Sequence, residues 1–85
     1  MTWIVNAEYV SGYKIRLTFN DGVSGEADLE KVLKQDSRPI FKTTADPANF
    51  RAFRLEADTV VWDTGLDLAP EFLRELIGSN TPVKA

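Results

Sequence analysis

The 85-residue chain contains no cysteine and no histidine. The first absence excludes a disulfide framework, a thiol nucleophile and a thiolate-ligated zinc. The second removes the commonest metal ligand and the commonest general base, and with them any Ser-His-Asp triad. No apolar run approaches the roughly 20 residues that a membrane-spanning helix needs. The opening residues, MTWIVNAEYV, lack the basic and long apolar regions of a secretion signal. A cytoplasmic protein without membrane contact is therefore expected. Positive charge is also scarce: ten Lys and Arg stand against thirteen Asp and Glu, a net charge of -3. A phosphate backbone is held by a basic patch, so direct nucleic-acid binding is not expected. The glycines form neither G-x-G-x-x-G nor G-x-x-x-x-G-K-[ST], so no phosphate loop is indicated.

What is present suits one small globular domain. The chain is 44% hydrophobic and 27% charged, with two Trp, two Tyr and five Phe to fill a core. WIVNAEYV mixes β-branched and aromatic residues and ends at the turn signal Ser11-Gly12. YKIRLTF then alternates, with Tyr13, Ile15, Leu17 and Phe19 on one side and Lys14, Arg16 and Thr18 on the other. Asn20-Asp21-Gly22 makes a tight turn, with Gly22 supplying the positive φ. VSGEADL returns, with Val23, Gly25, Ala27 and Leu29 on one face. These three strands read as a meander.

The middle has Leu29, Val32 and Leu33 at helical spacing, with Asp28 placed as the cap of a short helix. DSRPIFKTTADPANF is read as a loop held down by Ile40 and Phe41, with one short helical turn at Asp46-Pro47. FRAFRLEA and VVWD form a second hairpin, turning at Asp58-Thr59. Phe53, Leu55, Ala57, Val60 and Trp62 are expected to face inward. Beyond Gly65 the period becomes helical. Leu68, Phe72, Leu73, Leu76 and Ile77 form an apolar stripe, Arg74 and Glu75 lie opposite, and Gly78 ends the helix. The expected fold is α+β. About five antiparallel strands, a meander plus a hairpin, pack with one main C-terminal helix and a short mid-chain helical segment. Residues 1–78 form the domain and 79–85 a disordered tail.

Three carboxylates, Asp63, Asp67 and Glu71, recur every four residues. They have local work: Asp63 ends a strand, Asp67 caps the helix, Glu71 sits at its positive end, and Pro70 suits its first turn. The alternative is a carboxylate cluster that holds a hard cation such as Mg²⁺ for an enzyme or small-ligand binder. Asp21, Asp28 and Asp46 are read as turn and cap residues, because the calcium-loop pattern is absent. Trp3 and Trp62 are read as core. Lys14, Arg16, Arg54, Glu26 and Glu56 are read as one mixed, solvated sheet face. No cofactor and no catalytic residue is indicated.

Four segments then carry a resemblance: VNAEYV, IRLTFNDGVSGEADL, PIFKTTADPANFRAF and, above all, VVWDTGLDLAPEFL. IRLTFNDGVSGEADL holds F-x-D-G and a later acid as Phe19, Asp21, Gly22 and Asp28. VVWDTGLDLAPEFL holds W-x-x-G-x-D-L-x-P-E-x-L as Trp62, Gly65, Asp67, Leu68, Pro70, Glu71 and Leu73. Over about residues 3 to 77 the chain resembles a bacterial domain-of-unknown-function family, number 2442. The resemblance implies a small antiparallel α+β fold and no assigned catalytic residues. Some members of that family look like the front half of a regulator with a helix-turn-helix behind it; stand-alone members resemble partners in toxin–antitoxin-like pairs. The expectation is thus a non-enzymatic protein-interaction or regulatory module that binds another protein or itself.

Overall fold

In the computed structural model, which describes residues 1–80 (the backbone alone at Ser79 and Asn80), the alternating segments become strands in the expected order. β1 (Ile4–Ser11), β2 (Lys14–Phe19) and β3 (Ser24–Asp28) form an antiparallel meander with β2 in the centre. Its inner face carries Ile4, Ile15, Leu17, Phe19 and Ala27, all buried. Directly paired residues share a face, so the register also defines the outer one. There Lys14 stands opposite Asp28, and Arg16 stands between Glu8 and Glu26. The Arg16 guanidinium reaches the Glu26 carboxylate at 3.0 Å. Register shifts between Ile4 and Asn6 and between Tyr9 and Ser11 mark irregularities near the two ends of β1.

The second hairpin, β4 (Phe53–Glu56) with β5 (Thr59–Trp62), forms its own two-stranded sheet. The five expected strands are therefore split three and two, and Arg54 and Glu56 do not share a sheet with Arg16 and Glu26. A hairpin with Glu56 paired to Thr59 leaves a two-residue loop, Ala57-Asp58, at φ 51° and 70°. Two consecutive positive φ values match the right-handed twist of the flanking strands. The turn thus lies one residue earlier than expected, Ala57 does not face inward, and Thr59 is a buried strand residue. Leu55, also expected inside, is 39% exposed although its cross-strand partner Val60 is buried.

Between the hairpins run α1 (Glu30–Gln35), α2 (Pro39–Thr44) and α3 (Pro47–Arg51). The segment read as a loop is thus two short helices, each opening with proline in its first turn. Asp46 caps α3 by accepting from the Ala48 amide at 3.0 Å. Asp28 lies one residue ahead of the α1 cap, Leu29, and accepts from the Glu30 amide at 3.1 Å. Phe41, Phe50 and Leu33 enter the core from these helices. At its centre the Trp62 indole N–H donates to the Phe50 carbonyl at 2.8 Å.

The last element, α4 (Pro70–Asn80), lies across β3 and buries Leu73 and Ile77. Close approach depends on Gly25, where a Cβ would stand 3.1 Å from the Ile77 Cβ. Three expectations change here. Leu68 precedes the helix, Phe72 is exposed, and Gly78 lies inside the helix, not beyond its end. Packing of Leu73 and Ile77 against the sheet outweighs the roughly 1 kcal/mol that a helical glycine costs. Ser79 and Asn80, expected in the tail, continue the helix; positions 81–85 of that tail lie outside the described residues.

Candidate functional site

Residues 62–71 fold as a reversal followed by a helix start. The Gly65 amide donates to the Trp62 carbonyl and the Trp62 amide to the Leu66 carbonyl, each at 2.9 Å. Gly65 sits at φ 98°, a conformation open chiefly to glycine. The returning chain makes a bridge between Asp67 and Val61. Thr59 fixes it further by donating its hydroxyl to the Leu68 carbonyl. Thr44, fully buried, donates to the Ile40 carbonyl and accepts from the Thr64 hydroxyl at 2.6 Å. Trp62 and Leu66 lock the reversal into the core, with Leu68 only half-buried. Leu66 escaped the sequence reading because it lies in an irregular stretch that neither period covers.

The three spaced acids go separate ways. Asp63 pairs with the Arg54 guanidinium, which also lies 3.6 Å from Glu56. The hydrogen bond to Asp63, then the charge of Glu56, raise the Arg54 pKa. Asp67 is exposed and is not the helix cap. The Leu73 amide donates to the Ala69 carbonyl at 3.1 Å, which starts the helix two residues later. Asp63 and Asp67 border a shallow hollow of about 250 Å³ with Arg54 and Glu56. Glu71 borders a different one. Among the described residues no three His, Cys, Asp or Glu side chains are grouped to hold a metal ion. The cation reading therefore loses its geometry.

The F-x-D-G residues meet α4 instead. Arg74 was expected on the outward side of the helix. Its guanidinium passes over the Phe19 ring, 5.2 Å from the centroid, and makes two hydrogen bonds to Asp21, at 2.9 and 3.2 Å. Asp21 also accepts from the Val23 amide at 3.2 Å. The Arg74 hydrogen bond, then the Val23 one, hold the Asp21 carboxyl below its ordinary pKa of 3.8. Gly22, at φ 87°, closes the turn. The residues that carry the resemblance thus join turn, sheet and helix. Asp21 and Arg74 lie 53 positions apart, beyond any local pattern.

A second region was not foreseen. Trp3, read as core, is 39% exposed. Asn20 clamps its backbone: the Trp3 amide donates to the Asn20 Oδ1 and the Asn20 amide donates to the Trp3 carbonyl, each at 3.0 Å. Trp3 lines an open hollow of about 540 Å³ with Met1, Thr2, Ala57, Asp58, Pro70 and Glu71. Beside it starts β1, one of the two outer strands of the meander, whose Val5 is 52% exposed.

A crystal structure of a Nitrosomonas europaea ATCC 19718 protein, described as a "Putative DNA Binding Protein", has this fold. The TM-score is 0.74 at 19% identity, covering 94% of this chain and 51% of that one. This chain spans about half the length of that protein, and a likeness at such identity shows the fold alone. No curated protein matches the chain. The family described as "Protein of unknown function (DUF2442)" matches residues 4–79, from the first strand into the last turn of α4. Over that span, which is nearly all of its fold, the chain belongs to the DUF2442 family.

Proposed function

We propose that the chain is a non-enzymatic interaction module, a regulatory partner that binds another protein or a second copy of itself, as members of toxin–antitoxin-like pairs do. One observation carries the reading: the edge formed by β1. It is an eight-residue outer strand with a single charge, Glu8, and exposed Val5, Tyr9 and Val10 along it. Exposed edges of this kind accept another strand or an apolar partner surface unless charge or cover prevents it. Among the described residues the second hairpin lies against β1, and the Ile4 amide donates to the Asp58 carbonyl at 3.0 Å, so what the strand offers a partner is the exposed surface of Val5, Tyr9 and Val10.

The outer sheet face supports a role without direct contact with nucleic acid. Its two cations, Lys14 and Arg16, face Asp28, Glu8 and Glu26, so no row of free positive charge is presented to phosphates. Affinity capture at native abundance, read with light scattering of the purified chain, tests the proposal. A chain that is always alone and monomeric would overturn it.

A further inference from the structure

The hollow beside Trp3 has walls from three separate elements, and each is fixed. Asn20 holds the Trp3 backbone on both its amide and its carbonyl. The Asp58 carbonyl is tied to the Ile4 amide. Pro70 and Glu71 open α4, which packs on β3. Between them lies an exposed indole with no ring partner among the described residues. Asp58 and Glu71 are exposed carboxylates without an ion-pair partner among those residues, unlike Asp21, Asp36 and Asp63.

An aromatic face flanked by two carboxylates that have no ion-pair partner among the described residues favours a cation that is also flat and weakly hydrated. Guanidinium meets both demands: it stacks on the ring and donates in a fork to carboxylates. A bare metal ion has no use for the indole, and an anion would be repelled. The surroundings agree in sign. From Arg54 to Glu75 there are six acids and two arginines, and both arginines are already engaged with carboxylates. We infer that the Trp3 hollow receives an arginine side chain from a basic segment of a partner protein. The segment, not a free small molecule, is the occupant because the hollow opens beside the exposed Val5 of β1, where a partner surface would already lie, while the second hairpin lies against the strand and takes the Ile4 amide. This deepens the interaction reading above and rests on it for the identity of the occupant as protein.

The test uses the whole chain labelled with ¹⁵N and two probes, acetyl-Gly-Arg-Gly-amide and its uncharged citrulline counterpart. The arginine probe is expected to shift the Trp3 indole N–H and the Asp58 and Glu71 amides saturably. The citrulline probe should leave them in place, and the buried Trp62 indole should not respond to either. Trp3→Ala and, separately, Glu71→Gln should each weaken the arginine response about two- to five-fold, the range expected for an exposed cation–π contact. Dispersed spectra of both variants establish that they fold. Equal response to citrulline, or shifts spread evenly over Asp67 and Glu75, would overturn the inference. If capture finds a partner but the arginine probe does nothing, the hollow is rejected while the interaction module stands. If the probe binds at Trp3 while the chain is otherwise always alone, the module is rejected and the hollow stands as a cation site.

Discussion

Asp21 and Arg74 show how one pair of side chains connects the start of the fold to its end. The Asp21 carboxyl is held below 3.8 in the folded chain. A depressed carboxyl pKa stabilises the fold above the unfolded value, and that stabilisation is lost as pH falls through the folded one. The melting temperature of the wild type should therefore drop below pH 3.8. Asp21→Asn should melt lower at neutral pH and decline less steeply in acid. Some slope should remain, because Arg38 holds Asp36 at about 2 through hydrogen bonds at 2.7 and 3.0 Å. Parallel curves for wild type and Asp21→Asn below pH 3.8 would exclude this link. In the core, Trp62→Phe removes the donor to the Phe50 carbonyl and should cost about 1–3 kcal/mol in urea unfolding. Neither the Asp21–Arg74 nor the Trp62–Phe50 partnership could be read locally: each residue's type was visible, but its distant partner was not.

At the level of elements, the carboxylates divide into real and apparent caps. Asp46→Ala removes an acceptor from the α3 amides and should cost about 0.5–2 kcal/mol. Asp67→Ala, on an exposed residue ahead of the helix, should fall within about 0.5 kcal/mol of wild type. Comparing the two by thermal melts separates the observed helix start from the one the sequence suggested. The meander was readable because one covered face imposes a period of two, and Gly22 marks its second turn. The second hairpin was readable as a hairpin, but its turn was displaced because Ala57 adopts a positive φ that its side chain disfavours. α2 and α3 were hidden because each is too short to show a helical period and opens with proline, a residue that also signals loops. Gly78 misled for a related reason: as a residue it signals a helix end, yet packing by its neighbours carries the helix past it.

At the scale of the whole molecule, the arrangement of charge and edge matters more than any one acid. Titration with Mg²⁺, Mn²⁺ or Ca²⁺ should give no saturable heat, since Glu71 lies apart from Asp63 and Asp67. A saturable heat lost in Asp63→Asn would restore the cation reading. The isolated chain should not retard duplex DNA at physiological salt, because the cations of the outer sheet face stand against carboxylates. The candidate site itself was poorly visible in the sequence. The regular acids drew attention to residues 63–71, whereas Trp3 and Asn20 become a site only when the meander brings them together beside the second hairpin. The central claim is that β1 and its flank are a protein-binding edge. Capture from the native host with wild type and Val5→Lys, matched in abundance and both folded by circular dichroism, tests it most directly. The account predicts that wild type retains a stoichiometric protein partner and that Val5→Lys loses it; equal retention by both would contradict it.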